Sequence, residues 1–408
     1  MKRERIKLPL EGVRIMAFSV TWAGPVASGL LADFGAEVIK VESNSRIDDT
    51  RYNGPFPSGE VDIERSGSYA YFNRNKRGIL LNMAVEKGQE LARKLIKISD
   101  VVLNNFSAKV MGKWKMDYSR LKEIKPDIIS IGLQGLGETG PFKSHITYGP
   151  TLMALSGLSH LWRTHNTAEP IVSGAYPDFI GGVHAAIAVL AALHYRARTG
   201  KGQHIDLSQL EATASLLGPI ILEYIINQRE PQILGNRSLW MAPHGCYRCK
   251  KPDTWCVIAI SNDEEWKSFG RALGEPAWTK EDRFTNMANR LKNVEELDRH
   301  VEGWTVNHSA HQVMKILQKA GVPAGAVQNA EEVYRDYHLR EQGFFKEYEH
   351  PAMGLLTQPG MNIKLSKSPG DVYRHAPLLG QDNNYVFAEL LGLSQKEIRK
   401  LQEEKVIY

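Results

Sequence analysis

The segment 177–182, Pro-Asp-Phe-Ile-Gly-Gly, places one carboxylate, Asp178, where an apolar helix begins. Pro177 fixes the backbone at this turn, and the Ala-rich run 180–195 has the composition of a buried helix. The helix dipole and the free N–H groups of a first turn favour the ionised carboxylate, which is the form a nucleophile needs. The same pattern is typical of an ordinary Asp N-cap, so spacing alone leaves both interpretations open.

Two short polar segments could bind an anionic ligand. The cluster 73–78 contains Lys76 and Arg77, and such a cluster is either solvated surface or a phosphate site. Asn105 and Phe106 follow a strand predicted over residues 100–103. Ligands of open α/β sheets bind where strands end, so these two side chains are candidates for a binding site.

His145 and Tyr148 follow the Gly-rich loop 135–141. Taken alone, each is more typical of a structural residue or a pocket wall than of a catalytic group. Cys246, Cys249 and Cys256, with His244 nearby, could suggest zinc, but a closed site usually has two spaced ligand pairs. Cys249 and Cys256 flank a predicted turn, so the three cysteines are expected on one hairpin. The sequence therefore predicts packing cysteines and no metal site.

The elements that must position these residues alternate between strand and helix. A strand over 12–19, a helix over 26–34 and a strand over 37–42 form the first unit of this pattern. Further strands are predicted near residues 78–82 and 127–132. The alternation predicts an α/β fold with a doubly wound, Rossmann-like parallel sheet. A GxGxxG fingerprint is absent, so a nicotinamide or flavin cofactor is not expected.

The length of 408 residues predicts two domains. We expect residues 1–228 to form a large α/β domain, 229–341 a smaller α+β domain, and 342–408 to return to the first. The net charge of +5 is mild, and no basic run is interleaved with aromatics, so no nucleic-acid partner is expected. Three cysteines, no apparent signal peptide and no evident membrane-spanning stretch predict a cytoplasmic protein without a membrane partner.

Several motifs, in order and together, resemble the class III CoA-transferases, the family of formyl-CoA and carnitine CoA-transferases. The resemblance covers nearly the whole chain and rests on LEGVR (10–14), WAGP (22–25), LADFGAEVIKVE (31–42), NKRG (75–78), NF (105–106), GETGP (137–141), ALSGL (154–158) and the block 178–208. It implies a large domain built from both chain ends, a small domain between them, and an interlocked, ring-like dimer. The dimer would be a homodimer or would contain a second, related subunit.

The resemblance implies roles for individual residues. The family's catalytic aspartate falls on Asp178. Backbone N–H groups of Gly181, Gly182 and Gly245 would stabilise oxyanions. The expected CoA-binding residues are Lys76, Arg77, Asn105, Phe106, Lys113 and Tyr148. Trp22 and His145 would line the substrate pocket, and Trp22 favours a bulky or aromatic acid.

The implied activity is transfer of CoA from an acyl-CoA to a free carboxylic acid, through aspartyl anhydride and aspartyl-CoA thioester intermediates. Acyl-CoA would be a substrate, and no cofactor would be permanently bound. One alternative is an α-methylacyl-CoA racemase, which needs a second acid/base group where this chain has Tyr148. Another is a noncatalytic CoA-binding subunit, against which the presence of Asp178 argues.

Overall fold

A six-stranded parallel sheet forms the centre of the larger of two compact units. The computed structural model describes residues 8–163 and 174–408. The strands are β1 Arg14–Phe18, β2 Glu37–Glu42, β3 Arg77–Leu80, β4 Val101–Asn104, β5 Ile129–Gln134 and β6 His204–Ser208. Their order is β3-β2-β1-β4-β5-β6, all parallel, so the doubly wound sheet predicted from the alternating pattern is confirmed.

Helices cover both faces of this sheet. Those up to residue 228 are α1 Ala23–Asp33, α2 Gly67–Asn73, α3 Glu86–Lys97, α4 Ala108–Lys113, α5 Tyr118–Ile124, α6 Gly149–Leu155, α7 Leu158–Leu161, α8 Tyr176–Thr199, α9 Gln209–Ala214 and α10 Gly218–Asn227. Short 3₁₀ turns cover Asp49–Tyr52 and Ser215–Leu217. Met16 of β1 packs with Leu95 of α3 on one face, while Ile15 packs with Leu31 and Val189 on the other. The alternation of side chains along β1 thus supplies two cores.

The longest helix, α8, is packed against α1 along a face of small residues. Gly182, Ala185 and Val189 are buried on that face. Among the described residues, α8 alone is long and apolar enough to cross a membrane by length and composition. The expectation that no stretch would meet those criteria is therefore wrong. The physical reason is that a helix packed on the core of a sheet domain needs the same apolar composition.

The second compact unit comprises the described residues of 161–171 and 229–339. It contains an antiparallel sheet of β7 His244–Arg248, β8 Trp255–Ala259 and β9 Ala324–Ala326. Its helices are α11 Asp263–Ala272, α12 Met287–Lys292, α13 Val294–Thr305, α14 Ala310–Lys319 and α15 Ala330–Arg335, with a 3₁₀ turn at Ala277–Lys280. Trp266, Phe269 and Phe284 lie in its own hydrophobic core.

Residues 340–408 belong to the first unit. After α16 Tyr337–Glu341 come the hairpin strands β10 Phe345–His350 and β11 Gly354–Pro359, a π-helical turn at Tyr385–Leu390 and α17 Gln395–Glu403. Ile407 forms an isolated bridge with Leu81 beside β3. Asp382 accepts a hydrogen bond from the Gly78 N–H at 2.9 Å, so the C-terminal segment is bound to the sheet edge.

Candidate active site

The carboxyl ends of β1 and β4 meet where the strand order reverses, which is where ligands bind in open α/β sheets. Asn105 follows β4. Its side chain accepts a hydrogen bond from the Val20 N–H at 3.1 Å and donates one to the Val20 carbonyl at 2.9 Å. These two bonds join the loops after β1 and β4. A cavity of about 260 Å³ lies beside them, and Asp178 is part of its wall.

Asp178 is the third residue of α8. The helix begins at Tyr176 after the N-cap residue Ala175, which forms no side-chain cap bond, so the N-cap interpretation of Asp178 is wrong. The Asp178 carboxylate instead accepts a hydrogen bond from the backbone N–H of Ala23, the first residue of α1. The first turns of two helices therefore meet at this side chain, and both dipoles favour its negative charge.

Burial raises the pKa of Asp178 to about 6, and the Ala23 N–H opposes that rise. No charged neighbour in the described part of the chain contributes to the shift. At neutral pH the carboxylate is thus ionised, poorly solvated and without an ion-pair partner among those residues. Such a group is suited to act as a nucleophile or a general base.

The remaining cavity wall contains two cationic side chains, several aromatic rings and one carboxylate besides Asp178, that of Asp49. Arg46 lies over the ring of Phe106, at 5.7 Å from its centroid. Lys143, His145 and Tyr148 also face this cavity. Neither Arg46 nor Lys143 has a carboxylate partner within residues 8–163 and 174–408. The wall therefore suits an anionic ligand that also carries a planar group.

Sequence reasoning missed Arg46 and Lys143. Arg46 lies in the loop after β2, and Lys143 follows the Gly-rich loop after β5. Both loops leave the carboxyl edge of the sheet, where the ligand site of such a fold is expected. That position was the signal available in the sequence, because neither residue belongs to a basic cluster.

Lys76 is fully buried, and its predicted phosphate contact is wrong. Its Nζ donates to the Pro25 carbonyl at 2.9 Å and to Asn73 Oδ1 at 3.0 Å. Burial lowers the pKa of Lys76 well below its ordinary value, and the nearby Lys40 ammonium adds to this effect. Lys76 therefore ties α1 to the end of α2 instead of reaching a ligand.

Arg77 lies at the amino ends of the parallel strands, whereas Asn105 lies at their carboxyl ends. The predicted contact of Arg77 with CoA at this site is therefore also wrong. It is the first residue of β3, whereas Asn105 follows the last residue of β4 in the same parallel sheet. Its guanidinium binds Glu37 and Asp382, each at 3.1 Å, and covers the Tyr385 ring. These contacts hold the C-terminal segment.

Gly181 and Gly182 lie inside α8, beyond its free first turn, so their N–H groups are engaged in the helix. Their predicted role as oxyanion donors is wrong. They permit close packing instead: a Cβ on Gly182 would lie 2.6 Å from Val26 Cγ1, and one on Gly181 would lie 2.8 Å from Gln209 Cγ.

Gly245 belongs to β7 in the second unit, opposite Ile258 of β8. Cys249 donates its N–H to the Thr254 carbonyl at 2.8 Å in the same ladder. Every second residue pair along antiparallel strands is hydrogen-bonded, and Gly245 lies four residues before Cys249 in the same ladder. Gly245 and Ile258 therefore form a hydrogen-bonded pair too. The Gly245 N–H is thus used by the sheet, and its predicted role as an oxyanion donor is wrong.

The remaining predicted residues divide into two groups. Asn105, Phe106, His145 and Tyr148 line the cavity with Asp178.

Lys113 and Trp22 do not line this cavity. Lys113 is exposed at the end of α4. Trp22 precedes α1 and packs against Phe72 and Phe179, with ring centroids 5.0 and 5.9 Å away. The predicted contact of Lys113 with CoA stays a prediction.

The cysteines are free thiols, of which Cys249 and Cys256 are buried in the core of the second unit. Burial raises the pKa of Cys246, Cys249 and Cys256, which disfavours the thiolate that metal binding requires. Across the described ranges, no group of three or more His, Cys, Asp or Glu side chains could hold a metal ion.

Comparison with known proteins points to one chemistry. The family model described as CoA-transferase family III matches residues 10–383. The chain is 30% identical over 413 residues to succinyl-CoA–D-citramalate CoA-transferase of Chloroflexus aurantiacus, covering 100% of both chains. It is 28% identical over 405 residues to the succinyl-CoA–L-malate CoA-transferase alpha subunit of Chloroflexus aurantiacus, covering 98% of this chain and 93% of that one.

A solved structure has the same fold. The crystal structure of a CaiB/BaiF family protein from Brucella suis superposes with a TM-score of 0.85 at 29% sequence identity, covering 94% of this chain and 100% of that one.

Proposed function

This chain belongs to CoA-transferase family III, and we propose that it transfers CoA from an acyl-CoA to a free carboxylic acid with Asp178 as the covalent nucleophile. The carrying observation is the state of that carboxylate: partly buried, ionised at neutral pH, without an ion-pair partner within the described residues and in the wall of a cavity at the switch point of the sheet. A carboxylate that is poorly solvated attacks a thioester more readily than a hydrated one.

In the proposed reaction an Asp178 oxygen attacks the thioester carbonyl, the C–S bond breaks, and CoA thiolate leaves an acyl-aspartyl anhydride. The thiolate then attacks the Asp178 carbonyl carbon, which releases the donor acid and forms an aspartyl-CoA thioester. The acceptor carboxylate repeats these two steps in reverse and regenerates Asp178. No net proton, electron or metal ion is needed, because the energy of the thioester is kept in the acyl intermediates.

The cavity wall supports a place for CoA. We assign the phosphates to Arg46 and Lys143, which have charge without a carboxylate partner in the described part of the chain, and a planar group to the side of Phe106. The Asn105 amide is already bonded to both backbone groups of Val20. We therefore assign Asn105 the role of positioning the Val20 loop in the cavity wall. The Ala23 N–H takes the stabilising role first expected of the glycines.

An apolar pocket next to Asp178 favours a bulky or aromatic acid. A cavity of about 190 Å³ lies between α1 and α8 and is lined largely by apolar and aromatic side chains, among them Val26, Phe72, Phe179, Val183 and Phe344. Engineered apolar cavities of about 150 Å³ hold benzene. Phe179, which follows Asp178 in the chain, lines this pocket, and Trp22 packs against the Phe179 ring.

The helix α10 supports assembly with a second subunit. It has no buried residue within this chain, although Ile221, Leu222, Ile225 and Ile226 are all apolar and exposed. A contiguous apolar surface of this kind is typical of a subunit interface. We propose a dimer whose partner is a second copy or a related chain, and the name of one relative, an alpha subunit, agrees with assembly of this kind. The free cysteines support a reducing compartment such as the cytoplasm.

The test is CoA transfer by the purified chain alone, with a panel of acyl-CoA donors and free acids, followed by mass spectrometry of the acyl-CoA products. We expect transfer by the wild type and by Asp127→Ala, a surface control, and none by Asp178→Ala. Exchange of an α-proton of an acyl-CoA for deuterium without an acceptor acid, and no transfer, would indicate the racemase instead. Binding of CoA without either reaction would indicate a noncatalytic subunit.

A further inference from the structure

The segment Ser19–Thr21, which connects β1 to α1, is held by three side chains from three different parts of the first unit. Lys40 of β2 donates to the Ser19 carbonyl at 2.7 Å. Asn105 binds both backbone groups of Val20. Asp48, which follows β2, accepts the Thr21 N–H at 3.0 Å. Each residue of this short loop thus has a backbone group bound by a different side chain. We call Lys40, Asp48 and Asn105, which make these hydrogen bonds, the clamp.

Thr21 explains why such a clamp is present. Its φ is +65°, in the left-handed region, where a β-branched residue is a genuine outlier. Residues held in such conformations persist only where their surroundings enforce them, and they cluster at functional sites. Thr21 also lines the cavity that contains Asp178.

Lys40 and Asp48 form the buried part of this clamp. Their charged groups are 2.6 Å apart, and both side chains have 0% exposure. Burial alone would raise the pKa of Asp48, but Lys40 and the hydrogen bonds from Thr50 hold it below its ordinary value. Asp48 therefore stays a carboxylate, with Oδ2 on Lys40 and Oδ1 on the N–H of Thr21.

The geometry of this loop sets the start of α1. Trp22 is the N-cap residue, and Ala23, two residues beyond Thr21, donates its N–H to the Asp178 carboxylate. Gly24 follows, and a Cβ there would lie 2.5 Å from Ser19 Cβ. A rotation at Thr21 would consequently move the donor of Ala23 away from Asp178.

We propose that Lys40 and Asp48 are positioning residues of the transfer reaction: they hold Thr21 in its left-handed conformation and thereby keep the Ala23 N–H on the Asp178 carboxylate. The inference rests on the proposed function of Asp178. It assigns a role in the reaction to a buried ion pair that does not itself line the cavity.

A double-mutant cycle tests this role. In Asp48→Asn the new amide cannot accept from Thr21 and also face the Lys40 ammonium without placing donor against donor. We expect kcat for CoA transfer to fall about 100-fold, with KM for acyl-CoA nearly unchanged, because the loss is one of position. Thr21→Gly adopts a positive φ without strain. In the Asp48→Asn background it is expected to restore kcat by about tenfold or more.

The control is Asp263→Asn, which removes the carboxylate partner of the fully buried Arg290 in the second unit. It is expected to lower stability without changing kcat. If Asp48→Asn alone does not fold, Asp48→Asn is measured in the Thr21→Gly background, where the positive φ costs no strain, and is expected to lower kcat there by no more than about tenfold. The proposal would be overturned if the separate effects of Asp48→Asn and Thr21→Gly on kcat simply multiply in the double variant. A rise in KM at constant kcat in Asp48→Asn would overturn it as well.

Hydrogen exchange of the peptide covering residues 19–24 separates this inference from the proposed function. Faster exchange is expected in Asp48→Asn and slower exchange again after Thr21→Gly, whether or not a substrate pair has been found. Unchanged exchange in Asp48→Asn would overturn the clamp. If this peptide exchanges slowly in the wild type, but the wild type transfers no CoA from any donor, the proposed function is overturned, and with it the role assigned to Lys40 and Asp48.

Discussion

Gly149 leaves the space that the Asp178 carboxylate occupies: a Cβ at position 149 would lie 2.6 Å from Oδ2 of Asp178 and 3.1 Å from the Cα of Ala175. Gly149 is the first residue of α6 and follows Tyr148 on the cavity wall. Two helix starts, those of α6 and α1, therefore approach the same carboxylate, and one of them can do so only without a side chain.

Gly149→Ala is expected to reduce CoA transfer by about 10- to 100-fold, because the methyl group must displace the nucleophile or the backbone of Ala175. Steady-state kinetics of the variant measure this loss. Gly112→Ala is the matched control, since a Cβ there meets nothing within 4 Å. Full activity of Gly149→Ala would mean that the position of the carboxylate is not critical.

The rate of the first half-reaction is expected to rise with pH and to reach half its maximum near pH 6, because burial raises the pKa of Asp178 to about 6 and only the ionised form attacks. Single-turnover measurements of donor-acid release between pH 4.5 and 8, without an acceptor acid, give this profile, with circular dichroism at each pH to show that the chain stays folded. A rate that is constant down to pH 4.5 would contradict the account.

Asp178→Asn is expected to stabilise the fold at pH 7.5. Since the folded pKa is raised above the ordinary value of 3.8 to about 6, the carboxyl contributes stability below pH 3.8 that is lost as pH rises through 6. At pH 7.5 the cost of the ionised group is on the order of 1–3 kcal/mol. Urea unfolding should show the variant to be more stable at pH 7.5 and equal to the wild type near pH 4. Equal stability at both pH values would indicate a well-solvated carboxylate.

Gly182→Ala is expected to destabilise the fold by about 1–3 kcal/mol, because the added Cβ would lie 2.6 Å from Val26 Cγ1 and 3.1 Å from the Ala23 carbonyl. The same displacement of α1 would lower activity through the Ala23 N–H. Combining it with Val26→Ala should recover part of the stability, since the side-chain clash is removed while the backbone contact stays. Thermal unfolding of both variants measures this, and a fully stable Gly182→Ala would contradict the packing argument.

The sheet could be predicted from sequence because its signals are local. Strand 37–42 contains the β-branched residues Val38, Ile39 and Val41 and follows the turn at Gly35, and the alternation with helices indicates parallel pairing. Local reasoning, from a proline and an apolar run, also singled out Asp178, but it left the N-cap interpretation open, and the catalytic role came from the family resemblance. The start of α8 was misjudged by two residues, because no side chain caps it.

The errors concern contacts between distant residues. Lys76 and Arg77 are neighbours in one basic cluster. Lys76 is nevertheless buried against Pro25, whereas Arg77 binds Glu37 at the amino ends of the strands, away from the cavity. Whether a cation is solvated, buried or near a ligand depends on where the chain returns, which spacing does not encode. The clamp on Thr21 was invisible for the same reason, since its members come from three separate loops and strands.

The central claim is that Asp178 carries CoA covalently. The direct measurement is to incubate the chain with a donor that supports turnover, reduce with borohydride, and map the modified residue by peptide mass spectrometry. The account predicts donor-dependent conversion of Asp178 to homoserine in the wild type and none in Asp178→Asn. An unmodified Asp178 under conditions of measurable CoA transfer would contradict it.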